Sequence, residues 1–258
     1  LPVAVSEFTY ASKIVSVSGS EYVQLRGYRG VDSADGGLVA FGSSDGLRWR
    51  FLATVAKRNA TLKNEGPGEN DLVRLRDGRL LAVYRVQSCA PYHTSTSVND
   101  GREWAAPTAL PFGSVRPKLL VMDDGRVLLS GGRQGVYIWV ADPSARHWSA
   151  VDMTSVHNQL LAHEPAWQYG KGFVGSGNEC TPWNSTADDE NVVQGSSSYT
   201  SLLDLGEGRY VLQYDSLANG WSPPVWKGKP GVWGDRDRVF SIAFSVAPPE
   251  HAGSTSDL

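Results

Sequence analysis

The chain has 258 residues, enough to bury one large core. With 41% hydrophobic and 20% charged residues and a net charge of −3, it lacks the basic balance of a surface that tracks phosphates or anionic membranes. No apolar run approaches the ~20 residues that span a bilayer, and Leu1 opens no signal-peptide pattern.

The opening Leu1-Pro2, in place of Met, reads as a processed or partial product. From residue 21 onward the chain falls into repeat units, at 21–60, 69–110, 115–155, about 160–195 and 198–247. The first closes on Ser43-Ser44-Asp45-Gly46-Leu47-Arg48-Trp49, which is the Asp-box pattern one residue short. Just beyond it lies an acceptor sequon, Asn59-Ala60-Thr61.

The second unit opens with the clearest hairpin, Asn70 to Tyr84, two apolar runs joined by Asp77-Gly78-Arg79. Its box, Ser97-Val98-Asn99-Asp100-Gly101-Arg102-Glu103-Trp104, is complete. A polar side chain and a Gly make the tight turn there, and the Trp wedges beneath it. The third unit repeats the hairpin over Pro117 to Ser130 around Asp124-Gly125-Arg126, and its box, ending at Trp148, keeps only the Trp. A fourth, irregular unit follows, carrying the sequon Asn184-Ser185-Thr186. The last unit forms its hairpin around Glu207-Gly208-Arg209, and residues 248–258 read as a flexible Gly- and Ser-rich tail. A strand unit of about 45 residues, repeated, predicts the radial sheets of an all-β β-propeller over residues 1–247. A β-sandwich built of hairpins would leave the recurring Trp residues unexplained. Cys89 and Cys180 are an even pair and, with the two sequons, predict one disulfide and a secreted glycoprotein glycosylated at Asn59 and Asn184.

These motifs resemble the sialidases (neuraminidases) with BNR or Asp-box repeats, across about residues 21–247. Gly68-Glu69-Asn70, followed by Arg85 and a box, is similar to the blade with the family's catalytic Glu and second Arg. Arg133-Gln134-Gly135-Val136-Tyr137 resembles the region of the third Arg, and Ser198-Tyr199-Thr200-Ser201-Leu202 the motif of the nucleophilic Tyr. The resemblance implies a six-bladed fold, of which this chain shows four to five blades. It implies an exo-sialidase-like glycoside hydrolase acting on terminal sialic or related acidic sugars. In that reading Tyr199 is the nucleophile, Glu69 its base, and Arg85 with Arg133 the clamp for the sugar carboxylate, with Arg116 competing for a clamp position. The family's opening Arg-x-x-Pro-like motif is not found, since residues 1–20 hold Lys13 and no Arg, and the first two blades read as absent or reduced. Asp32 and Asp35, in a loop, are the candidates for the general acid. The alternative is a non-catalytic propeller serving as a glycan-binding or assembly module, with an upstream segment or partner chain completing the ring.

Strand geometry groups the same residues independently. The start of one strand and the end of its antiparallel neighbour share a rim, which collects Glu69, Arg85 and Arg133 together with Arg116, Glu164 and Tyr199 at later unit starts. The disulfide is expected beside that rim. His93, His147, His157 and His163 lack metal-ligand spacing, and neither a metal nor another cofactor is expected. The expected ligand is an acidic sugar or sialoglycan, with no nucleic acid and no membrane span.

Overall fold

Runs such as Leu80-Leu81-Ala82-Val83-Tyr84 are apolar without alternation because both faces of the strand are covered. The computed structural model describes residues 1, 3–19, 21–32, 35–58, 66–87, 90–132, 135–168, 199–216 and 238–247. These form four antiparallel sheets. The first holds β1 (Val5–Ala11), β2 (Val15–Ser16), β3 (Tyr22–Gly30), β4 (Gly36–Ser43) and β5 (Arg50–Lys57), with β1 and β2 both pairing with β3. The second is β6 (Asn70–Arg74), β7 (Leu80–Tyr84), β8 (His93–Ser97) and β9 (Thr108–Ala109). The third is β10 (Lys118–Val121), β11 (Val127–Gly131), β12 (Tyr137–Ala141) and β13 (Trp148–Asp152). After helix α1 (Met153–Leu160) and a 3-10 turn (Pro165–Trp167), the fourth is β14 (Thr200–Gly206), β15 (Arg209–Ser216) and β16 (Arg238–Ser245).

Each sheet is a meander, and the first strands of successive sheets, β1, β6, β10 and β14, are neighbours in space. Sheets stacked radially with their first strands innermost make a β-propeller. Three clusters fill the spaces between blades, and the period of two deals one strand's residues to two of them. Leu80, Ala82 and Tyr84 of β7 pack toward the first blade, while Leu81 and Val83 pack toward the third. In β12, Tyr137 and Trp139 face the second blade and Ile138 the fourth. Strand β16 alternates instead: Phe240, Ile242 and Phe244 pack inward, while Val239 is exposed.

Both sets of turns read from the sequence lie on one rim. In the inner hairpins, Arg79 N–H and Arg126 N–H donate to Asp77 Oδ1 and Asp124 Oδ1, each at 3.0 Å. Gly78 and Gly125 stand at φ +90° and +89°, where a Cβ would be strained. Between the outer strands, Leu47 and Arg48 N–H donate to Asp45 Oδ1, and Glu103 N–H donates to Asn99 Oδ1. Trp49 Nε1–H donates to Gly46 O at 3.2 Å and Trp104 Nε1–H to Gly101 O at 3.0 Å. The third turn, degenerate in sequence, has the same form: Trp148 Nε1–H donates to Ala145 O at 3.1 Å, with Asp142 Oδ1 accepting from Arg146 N–H. Hairpin and outer turn meet across blades, since Arg79 donates to Ser144 O and Ser18 to Asp100.

Two expectations about boundaries change. The first blade begins at Val5 rather than at 21. Its inner strand is split at Ser12, whose hydroxyl takes the Leu25 N–H and whose own N–H reaches Leu25 O, so no continuous apolar run marks it. The end of the third unit and the start of the irregular fourth carry helix, at 153–160 and 165–167, with Asp152 capping α1 by accepting from Thr154 and Ser155 N–H. Residues 169–195 of the fourth unit lie outside the described residues, as do the tail 248–258, Cys89, Cys180, Asn59 and Asn184.

Trp139, 2% exposed, stacks on Phe112 at 4.5 Å and meets Tyr92 edge-on, filling the space between the second and third blades. Trp139→Ala is expected to cost about 3–5 kcal/mol, read as a lowered urea midpoint at unchanged slope.

Candidate active site

Glu69 immediately precedes β6, and the ladder continues through it: Arg85 N–H donates to Glu69 O and Gly68 N–H to Arg85 O. This pins Glu69 and Arg85 side by side at the rim opposite the Trp turns. The Glu69 carboxylate is 3% exposed, so it must find donors within the protein. Tyr199, just before β14, donates its hydroxyl to Glu69 Oε1 at 2.8 Å. Glu69 Oε2 accepts from Arg85 Nη1 at 3.2 Å and from the Arg116 backbone N–H at 2.8 Å. Three blades thus supply one carboxylate.

Asp71 lies two residues on, on the same face of the strand, and is 1% exposed. Its Oδ1 accepts Lys13 N–H at 3.2 Å, while Oδ2 accepts Leu119 N–H at 2.8 Å and pairs with Lys13 Nζ at 3.2 Å. The Lys13 ammonium also donates to Leu119 O. Asp71 therefore ties β6 to the first and third blades.

Burial pushes the Tyr199 phenol well above the usual tyrosine value; its hydrogen bond to Glu69, the charge of Glu69 and the neighbouring Tyr10 hydroxyl push the same way. The phenol is held protonated, with a carboxylate oxygen ready to take its proton. The Arg116 guanidinium lies over the Tyr199 ring at 5.0 Å and over the Tyr10 ring at 5.9 Å. Burial lowers the Lys118 ammonium, Asp71 opposes that, and the Arg116 and Lys13 charges reinforce it.

The structure therefore brings Tyr199, Glu69, Arg85 and Arg116 together. Arg133 lies outside the described residues. Asp32 and Asp35 form the β3–β4 turn on the same rim, where Asp35 N–H donates to Asp32 O and the Asp35 charge acts on Tyr28. Glu164 does not join the group, because the helical segment carries it to an exposed position at the start of the 3-10 turn. Sequence reasoning missed Tyr10, Asp71 and Lys118 as members; the alternation of Glu69 and Asp71 along β6 was the available signal for Asp71. Of the histidines, His157 is buried against Tyr214 OH and Trp167 O, at 2.7 and 2.8 Å. Among the described residues no group of three His, Cys, Asp or Glu side chains is arranged to hold a metal ion.

Fold and site together define a β-propeller whose inner-strand starts assemble a Tyr–Glu–Arg centre on one rim. No family model matches the sequence, and no curated protein matches it. Solved structures share the fold. A protein of unknown function from Dyadobacter fermentans DSM 18053 superposes with a TM-score of 0.62 at 15% identity, covering 91% of this chain and 53% of that one. The Hadza microbial sialidase Hz136 gives 0.52 at 12% identity, covering 79% and 34%. The α-L-arabinofuranosidase Arb93A of Fusarium graminearum gives 0.51 at 14% identity, covering 92% and 62%. The chain thus spans less than two thirds of each of these proteins.

Asp71→Ala would strand the Leu119 N–H and the Lys13 ammonium together. We expect a loss of about 2–4 kcal/mol in urea unfolding and faster hydrogen exchange at the Leu119 amide.

Proposed function

We propose that the chain is a retaining glycoside hydrolase that acts on terminal sialic or related acidic sugars, with Tyr199 as nucleophile and Glu69 as its base. The observation that carries this reading is the 2.8 Å hydrogen bond from the Tyr199 hydroxyl to a buried Glu69 carboxylate. A phenol with a raised pKa attacks poorly unless its proton leaves as the bond forms, and Glu69 Oε1 is within reach to accept it. In the first step the Tyr199 oxygen bonds to the anomeric carbon, its proton passes to Glu69, and the bond to the aglycone breaks. The aglycone oxygen keeps the bonding pair and takes a proton from a general acid, for which Asp32 and Asp35 are the candidates. In the second step water attacks the same carbon, gives a proton to that acid's carboxylate, and Tyr199 leaves with the proton that Glu69 returns. Two displacements retain the anomeric configuration.

Charge supports an acidic substrate. Arg85, Arg116, Lys13 and Lys118 gather against Glu69 and Asp71, a local positive excess in a chain of net charge −3. Arg85, with Arg133, would clamp the sugar carboxylate through charge-assisted hydrogen bonds. The second reading, a glycan-binding module without turnover, rests on Lys13, a first-blade cation already engaged by Asp71 and Leu119 O. Residues 1–20, the inner part of that blade, hold no arginine and so bring no guanidinium fork to this rim.

A fluorogenic α-sialoside and a neutral α-L-arabinofuranoside, assayed side by side, test the proposal. Turnover of the sialoside is expected, falling about a hundredfold or more in Tyr199→Phe and in Glu69→Gln. Hydrolysis of the neutral furanoside alone would overturn the substrate class, and undiminished activity in Tyr199→Phe would remove the nucleophile. Sialic acid bound without turnover would establish the second reading.

A further inference from the structure

We propose that Arg116 is the positioning residue of the Tyr199–Glu69 pair, holding the phenol and stabilising the charge it gains as its proton leaves, and is not part of a substrate clamp. The inference rests on the reading of Tyr199 and Glu69 as the reacting pair.

Three observations carry it. The Arg116 backbone N–H, at 2.8 Å the shorter of the two bonds to Glu69 Oε2 beside that of Arg85, helps leave Oε1 to the Tyr199 hydroxyl. Its guanidinium lies 5.0 Å from the centroid of the Tyr199 ring and 5.9 Å from that of Tyr10. Its backbone stands at φ +35°, a left-handed conformation that is costly for a side chain with a Cβ, and all the more so before a proline.

The surroundings hold that conformation. Tyr92 donates its hydroxyl to Val115 O at 2.9 Å, Glu69 takes the Arg116 N–H, and Asp71 takes the Leu119 N–H. The segment between the second and third blades is pinned at three points, and the product of that pinning is a cation set on the face of the phenol.

The chemistry favours the transition state over the ground state. A neutral phenol attracts a guanidinium through the negative face of its ring. As the O–H bond breaks and the proton moves to Glu69, the ring gains negative charge and the attraction grows, which lowers the barrier without tightening substrate binding. A substrate clamp would act in the opposite sense, on binding.

Among the described residues, the charged and titratable groups facing Tyr199 are Glu69, Tyr10 and Arg116. A ring-polyfluorinated tyrosine at position 199, acidic enough to titrate in the accessible range, reads their balance by 19F NMR without any substrate. We expect its phenol midpoint to rise by about one pH unit in Arg116→Gly and by less than about half of that in Arg116→Lys. Arg116→Gly keeps the backbone N–H on Glu69 and relieves the positive φ, so its melting temperature should not fall; Arg116→Lys covers the case in which it does. With a turned-over glycoside, kcat should fall about tenfold or more in Arg116→Gly while KM stays within about twofold. An unchanged 19F midpoint, or a raised KM at constant kcat, would overturn the inference. If no glycoside is turned over, the function proposed above fails, and the 19F titration still decides the role of Arg116.

Discussion

Two buried carboxylates on one strand hold the inner ring of this propeller together. Glu69 and Asp71 point the same way from the start of β6, and each is almost wholly withdrawn from water. A carboxylate so placed costs several kcal/mol unless donors surround it. The second blade alone supplies one such donor, Arg85. The others come from Lys13 in the first blade, Arg116 and Leu119 in the third and Tyr199 in the fourth. Blades that pack against one another through apolar clusters could slide; donors aimed at two fixed points set their register.

The same demand creates the chemistry. Because its own blade offers Glu69 only the Arg85 guanidinium, a phenol from the fourth blade and a backbone N–H from the third converge on it as well. What stabilises the fold at this point is also a proton acceptor in contact with a hydroxyl nucleophile. The two rims divide the labour. One carries the repeated Gly hairpins and the Trp turns, whose hydrogen bonds close on themselves or on the next blade's turn. The other carries the starts of the inner strands, where polar side chains face the axis.

Repetition in the turns is looser in sequence than in geometry. The loop before Trp148 lacks both the Ser and the Gly of its counterparts, yet its Trp donates to the carbonyl three residues back, as Trp49 and Trp104 do. Asp142 supplies the accepting oxygen, and Ala145 takes the positive φ, at +58°, that Gly46 and Gly101 take elsewhere. The indole packed beneath the turn outweighs the modest strain of one alanine in a left-handed conformation.

Local chemistry fixed much of this protein's architecture in advance. The Asp-Gly-Arg and Glu-Gly-Arg turns between apolar runs dictate hairpins, since Gly alone adopts the required φ at no steric cost. The Trp recurrence dictates repeated blades, and the period-two rule sends Glu69 and Arg85 to one rim. The tertiary structure decided the rest. The first inner strand is broken at Ser12 and gives no apolar run, so it became legible only through its pairing with β3. The helical capping by Asp152 took Glu164 away from the site, although its place in the chain suggested a unit start. The partners of Glu69 lie 47 and 130 residues away in Arg116 and Tyr199. Pairings over such distances are set by how whole blades pack, and no local propensity or spacing encodes which oxygen each donor will reach.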